Sequence, residues 1–165
     1  MKCLVFSDSH GDSRNMREAL ARNPDAEVVF FLGDGRYDAD TVSTGERTRA
    51  WLAVAGNCDL DRTFRGTHAV KTDAINLEGH RIVFTHGDLY GAKYGMGGLL
   101  RLADEQSASV VLFGHTHEPM ERNADGLHVF NPGSAAAPRE GEPTFGRLTI
   151  RNGQVLLSHG NVYGG

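Results

Sequence analysis

The chain has 165 residues, with 17 Lys and Arg against 21 Asp and Glu, and a formal net charge of −4. That length suits one domain with a real core, and 39% hydrophobic with 23% charged residues excludes a disordered chain. The acidic balance argues against a general nucleic-acid coat or an anionic-membrane binder, and no stretch reaches the roughly 18 apolar residues of a membrane span. Lys2 to Ser7 and Glu27 to Leu32 are continuously apolar, as parallel strands covered on both faces are. Between them, Ser13 to Arg22 has helical spacing through Met16, Ala19 and Leu20, with Asp12 or Ser13 as N-cap. Trp51 to Ala55 is a third apolar run and ends at Gly56. Ala74 to Leu77 and Arg81 to Thr85 flank Glu78-Gly79-His80, a hairpin signature. Leu99 to Glu105 reads as a helix, Ser109 to Phe113 as a buried strand and Leu127 to Phe130 as a short strand. Pro132 to Pro143 reads as loop, and Asn152-Gly153 between Thr144 to Arg151 and Gln154 to His159 predicts a tight hairpin. No linker divides the chain, so residues 1–165 are read as one domain. Cys3 and Cys58 have neither metal-type nor disulfide spacing, and the N-terminal apolar run is too short for a secretory core. A cytoplasmic protein with reduced thiols is expected.

Glycine is over-represented, 21 of 165 residues, which predicts many tight loops. Five apolar runs end in short polar clusters: Asp8-Ser9-His10, Gly33-Asp34, Gly56-Asn57-Cys58-Asp59, Thr85-His86-Gly87 and Gly114-His115-Thr116-His117. Ligands bind outside the carboxyl ends of strands in open α/β sheets. Side by side, these ends would pool Asp8, His10, Asp34, Asn57, His86, His115 and His117. Carboxylate, amide oxygen and imidazole suit Mn²⁺, Fe²⁺, Co²⁺, Ni²⁺ or Zn²⁺. Seven ligands exceed one tetrahedral site and suit two divalent ions if a carboxylate bridges. Asp8/His10 and His115/His117 are i, i+2 pairs, whose members share one side of an extended backbone.

Two divalent ions bring +4 against −2 from Asp8 and Asp34, so the site would attract an anion and stabilise charge developing in a transition state. Two such ions can polarise a phosphoryl group and activate a bridging water. Phosphoester hydrolysis is the chemistry expected.

The ordered set D-x-H, G-D, G-N-x-D, H-G and G-H-x-H resembles the calcineurin-like metallophosphoesterase superfamily. The short length, the GNCD form and Asn131-Pro132-Gly133-Ser134 resemble its small prokaryotic phosphodiesterases, a branch that also resembles the scaffold subunit of the eukaryotic retromer coat. The likeness runs from Lys2 to about Ser158. It implies an α/β fold, a four-layer sandwich of two facing β-sheets flanked by helices, with the site at one end. It implies that Asp8, His10 and His117 hold one metal, that Asp34 bridges, and that Asn57, His86 and His115 complete the second. Catalysis is thereby assigned to Asn57, His86 and Asp34, with a metal-bridging hydroxide as nucleophile and Mn²⁺ as the first choice of ion. The substrate implied is a small phosphodiester or nucleotide-like molecule, with neither a nucleic-acid coat nor a membrane as partner, and a homo-oligomer is compatible. A scaffold on the same fold and a phosphomonoesterase are the alternatives. A scaffold has no chemical need for all seven residues, which favours the enzyme.

Two positions depart from the family pattern. Cys58 stands where many relatives have a histidine, and a thiol is a weak donor. Good leaving groups, another acid or a modest rate would follow. Asp88 stands where relatives often have histidine, and it either orients His86 or faces solvent. Asp59 is read as fixing the Asn57 loop by hydrogen bonds, and Asn131 to Ser134 as a tight turn packing near the site. Arg36 is a candidate cation for a monoester, with its direction open. His68, His80, His128 and His159 match no motif and are read as structural or exposed. Specificity is expected in the loops Gly35 to Thr48 and Asp88 to Gly98.

Overall fold

Every second residue of the first strand faces a different core. Cys3 and Val5 point to one side, Leu4 and Phe6 to the other, and all four are buried. This computed structural model describes residues 1–59, 63–68 and 70–163. In chain order the elements are β1 (Lys2–Phe6), α1 (Arg14–Arg22), β2 (Val28–Phe31), α2 (Arg36–Thr44), β3 (Ala50–Ala53), β4 (Thr72–Leu77), β5 (His80–Thr85), a 3₁₀ turn (Asp88–Tyr90), α3 (Gly97–Gln106), β6 (Val110–Leu112), β7 (Pro119–Ala124), β8 (Leu127–Pro132), β9 (Phe145–Arg151) and β10 (Gln154–Gly160).

The strands form two five-stranded mixed sheets, ordered β10-β9-β1-β2-β3 and β4-β5-β6-β8-β7. Three apolar layers separate four structural ones. Val5, Phe30 and Leu32 of the first sheet meet Ile82, Phe84, Leu112 and Phe130 of the second. On the outer face of the first sheet, Phe6, Val29 and Phe31 pack with Met16, Ala19 and Leu20 of α1 and Ala39 and Val42 of α2. On the outer face of the second, Val83, Val111 and Val129 pack with Leu99, Leu102 and Ala103 of α3. The continuously apolar strands are therefore the parallel ones, covered on both faces as expected: β1–β2–β3 and β5–β6–β8. Burial of these side chains, at roughly 1.5–3 kcal/mol each, is the main stabilising contribution.

Both predicted hairpins form. Glu78-Gly79 and Asn152-Gly153 have φ of 47°, 86°, 52° and 73°, the left-handed values that a two-residue turn matching strand twist requires. His80 belongs to β5 rather than to the turn. Two elements fall outside the sequence reading. The segment RYDADTVST has only Arg36 and Ala39 as good helix formers and reads as loop, yet it forms α2, held by burial of Ala39 and Val42. β7 (PMERNA) is polar, exposed and led by proline; as an edge strand it has one neighbour, β8, and no apolar alternation to betray it.

No helix of the described residues is long and apolar enough to cross a membrane.

Candidate metal centre

Register brings the polar clusters together. Phe6 lies opposite Phe31 and Phe84 opposite Leu112, so the chains leave neighbouring strands at matched levels. Pairing continues past the strand ends: Asp8 N donates to Gly33 O (2.9 Å), His10 N to Asp34 O (3.1 Å) and Gly114 N to His86 O (2.9 Å). The backbone there is not extended. Asp8, His10, Asp34, His115 and His117 have φ of 55°, 44°, 55°, 69° and 62°, in the left-handed region. The i, i+2 argument therefore fails in its mechanism. Left-handed turns send His115 and His117 to different neighbours rather than to one side.

All seven sequence-selected residues meet where the two sheets abut. His117 Nε2 lies 3.2 Å from Asp8 Oδ1 and 3.2 Å from His10 Nε2, and His10 Nε2 lies 3.7 Å from Asp8 Oδ1. A second group surrounds His86 Nε2: Asn57 Oδ1 at 3.2 Å, His115 Nδ1 at 3.2 Å and Asp34 Oδ2 at 3.3 Å. Asp34 Oδ2 is also 3.8 Å from His10 Nε2, so one carboxylate oxygen faces both groups. Asp34 Oδ1 is turned away and accepts the Cys58 amide (2.8 Å).

Hydrogen bonds from behind set which imidazole nitrogens face inward. His86 Nδ1 donates to Leu32 O (2.8 Å) and His117 Nδ1 donates to Ala137 O (2.7 Å). A carbonyl accepts only, so both rings carry hydrogen on Nδ1, and in the neutral form present a lone pair from Nε2. These lone pairs point at carboxylate oxygens, which also offer lone pairs. Such a convergence is relieved by positive charge, either a proton on an imidazole or a metal ion between the groups. Asp8 makes the need explicit: it is 0% exposed, its Oδ2 accepts Ser7 Oγ (2.5 Å) and the His115 amide (3.0 Å), and its Oδ1 has no hydrogen-bond partner among the described residues.

The ionisation equilibria carry the same message. Burial resists charge on Asp8 and Asp34, but imidazoles outweigh it: His10 and His117 hold Asp8 far below the carboxylate range, and His86 holds Asp34 at about 2. Asp8 raises His10 and His117 in turn. Burial works against charge on His86, yet Asp34 and Asp8 raise it. His115 is lowered, by burial and by His86. The carboxylates stay ionised and draw protons onto their neighbours, which is how a metal site behaves when protons take the place of the ion. The donors suit divalent metal: Asp8, His10 and His117 form one candidate ligating group, Asp34, His86 and His115 another, and His10, Asp34 and Cys58 a third that overlaps both.

Supporting residues hold the loops. Asp59 accepts from Asp34 N (2.6 Å), Gly35 N (2.9 Å), Arg36 N (3.0 Å) and Gly56 N (2.9 Å), tying two strand ends together as expected. Close approach also demands two glycines. A Cβ on Gly56 would lie 2.0 Å from Asp34 Oδ1, and one on Gly114 would lie 2.0 Å from Ser7 Oγ.

The Asn131 to Ser134 turn has a positioning role that its sequence did not reveal: Ser134 Oγ donates to Asp8 O (2.7 Å), and Asn131 Nδ2 donates to Gly114 O (3.0 Å). Asp38, also missed, accepts from Ser9 Oγ (2.5 Å) and Gly11 N (2.8 Å). The signal for it was a carboxylate one helical turn after Asp34, hidden while α2 was read as loop.

Other candidates lie elsewhere. Asp88 approaches Lys71 at 3.9 Å, and the ring of His86 is oriented by Leu32 and Asn57 instead. Arg36 is 1% exposed and turned inward, its guanidinium 5.7 Å from the Phe64 ring. His80 bonds Ser109 and Gly153, and His159 stacks on Phe130, both structural as expected.

The family model described as the calcineurin-like phosphoesterase superfamily domain matches residues 1–153. The chain belongs to that superfamily. Phosphodiesterase YfcE of Escherichia coli K12 is a relative 33% identical over 168 aligned positions, with 90% of this chain and 87% of that one covered. A solved structure from Streptococcus pneumoniae, described as a predicted phosphoesterase, superposes with a TM-score of 0.81 at 26% identity over 98% of this chain and 89% of its own. Vacuolar Protein Sorting 29 from Cryptosporidium parvum shares the calcineurin-like fold at a TM-score of 0.77 and 17% identity, over 96% of both chains. The chain is thus a metallophosphoesterase by family, and its two mixed sheets with outer helices are the family's sandwich.

Proposed function

We propose that the protein is a phosphodiesterase with a dinuclear metal centre. Asp8, His10 and His117 would hold one ion, Asn57, His86 and His115 the other, and Asp34 would join them. The observation that carries this reading is Asp34 Oδ2, which faces donors of both groups while Oδ1 is held back by the Cys58 amide. When bound, a pair of divalent ions supplies a water of lowered pKa as nucleophile and positive charge for the phosphoryl oxygens. Mn²⁺ is the proposed ion; the oxygen and imidazole donors suit Fe²⁺, Co²⁺, Ni²⁺ and Zn²⁺ as well.

The chain's own contribution is preorganisation. Leu32 and Ala137 fix two imidazoles through Nδ1, so Nε2 is offered without a search over rotamers or tautomers. Asp59 and Ser134 hold the turns that carry Asp34 and Asp8. Beside Asn57 stands Cys58, whose thiol is a weak proton donor and is pushed up further by burial and by Asp34. Esters whose leaving group departs without protonation are therefore the favoured substrates.

A diester is favoured over a monoester because Arg36, the cation nearest in sequence to Asp34, is buried over Phe64 and does not join the seven donors. A scaffold role shares the fold, and a full donor set speaks against it. The deciding experiment is hydrolysis of bis(p-nitrophenyl) phosphate with Mn²⁺ and after chelation, with elemental analysis of the same sample. Equal rates in both conditions reject the reading; a silent, metal-poor protein supports the scaffold.

A further inference from the structure

Asn57 hangs on Gly56, and the backbone of Gly56 is held by both of its polar groups. The Gly56 amide donates to Asp59 Oδ2 (2.9 Å), and the Gly56 carbonyl accepts from Lys71 Nζ (2.7 Å). Asp34 Oδ1 closes a further side, 2.0 Å from where a Cβ on Gly56 would lie. Asp59 is part of the G-N-x-D cluster, whereas Lys71 belongs to none of the five clusters. We infer that Lys71 is a positioning residue for the candidate ligand Asn57: its ammonium fixes the Gly56–Asn57 peptide and so aims Asn57 Oδ1 at the ion that His86 and His115 would share. The inference rests on the dinuclear reading and deepens it.

Three observations carry it. The first is the bond itself. Its 2.7 Å length is that of a hydrogen bond from a charged donor, roughly twice as strong as one between neutral groups. The second is the fixed root of the side chain. Lys71 O accepts from Thr85 Oγ1 (3.0 Å), Thr85 immediately precedes His86, and Ala55 N donates to Val70 O (2.7 Å). The chain entering β4 is therefore bonded to the exits of β3 and β5, one strand from each sheet. A long side chain that starts from a fixed base loses less freedom when its tip is ordered. The third is where the charge lies. Asp88 Oδ2 is 3.9 Å from Lys71 Nζ, and Asp88 follows His86 by two residues. One ammonium thus stands between the loop that carries Asn57 and the loop that carries His86, whose candidate ligand atoms are 3.2 Å apart.

Metal–ligand distances tolerate deviations of about 0.2 Å, so a peptide free to turn would misplace Asn57 Oδ1 even in a folded protein. The contacts of Lys71 fall on the loops of Asn57 and His86 rather than on those of Asp8, His10 and His117. Loss of its ammonium is therefore expected to affect one ion and spare the other.

The test titrates the chelated protein with Mn²⁺ by calorimetry, where the dinuclear reading requires two binding events. In Lys71→Met, and in Lys71→Gln measured beside it, one event is expected to weaken about tenfold and the other to stay unchanged. Lys71→Arg, which keeps a charged donor, is expected to retain both. Asn57→Ala is expected to weaken the same event, and Lys71→Met added to Asn57→Ala to weaken it no further, because the lysine acts through that side chain. Two events that the Met and Gln variants leave unchanged or weaken equally, a loss that Lys71→Arg does not restore, or a loss that adds in full to that of Asn57→Ala overturns the inference and leaves the dinuclear reading intact. A single event or none in the unmodified protein removes both.

Discussion

The imidazole of His86 donates through Nδ1 to the carbonyl of Leu32 at 2.8 Å, and these residues follow strands of opposite sheets. The bond fixes the tautomer of a candidate ligand and clasps the sandwich at its functional end. Removing the ring removes both. His86→Ala is expected to lose metal at one of the two positions and to leave the Leu32 carbonyl unpaired, a cost of about 1–3 kcal/mol. Elemental analysis and urea unfolding on one sample read both effects.

Asp34→Asn probes the shared carboxylate alone. The amide keeps an acceptor for the Cys58 N–H, so the loop retains its shape. Metal content is expected to fall and kcat on bis(p-nitrophenyl) phosphate to drop about 100-fold or more, with little change in Tm. A variant that keeps two ions and full turnover contradicts the bridge.

Asp59→Asn replaces a carboxylate that serves four amide donors by a group with one acceptor oxygen. At least two buried N–H groups lose their partner. Destabilisation of about 2–4 kcal/mol is expected by urea unfolding, with weaker metal binding because Asp34 and Gly56 lose their common anchor.

The metal-free protein is expected to lose stability as pH rises. His10, His117 and His86 have folded values above the ordinary 6.5 because of Asp8 and Asp34. Their contribution is complete below 6.5 and disappears as pH climbs through the raised values. His115 and His128 are lowered and oppose this, but they are two rings against three. Excess Mn²⁺ should invert the trend, because protons and metal compete for the same lone pairs. Tm measured at pH 6 and pH 8, with chelator and with Mn²⁺, checks the sign in both states; a chelated protein that melts higher at pH 8 refutes it.

Cys58→His restores an imidazole beside Asn57. It is expected to raise kcat on esters with poor leaving groups more than on p-nitrophenyl esters, flattening the dependence of rate on leaving-group pKa. Equal effects across a leaving-group series would show that proton donation at this position does not limit turnover.

The layers and the convergence of the seven candidate residues are legible because each rests on side-chain type at a strand end. Continuous apolar runs such as VVFF announced strands covered on both faces, and polar clusters announced where they stop. What stayed hidden depends on backbone. The left-handed φ of His115 and His117, which separates their targets, has no side-chain signature in a non-glycine residue. Leu32 and Ala137 act through carbonyls that any residue would offer. α2 forms from mostly poor helix formers, seven of nine residues, because Ala39 and Val42 bury their side chains, a tertiary effect that propensity does not anticipate.

Both carboxylates and one imidazole of the donor set, Asp8, Asp34 and His10, precede residue 60, whereas His86, His115 and His117 follow it on the other sheet. On the proposed assignment, a chain emerging from the ribosome would expose its acidic half long before the rings able to complete either site. Ion capture then waits until the halves have docked, so loading reports a finished sandwich and cannot rescue an unfinished one.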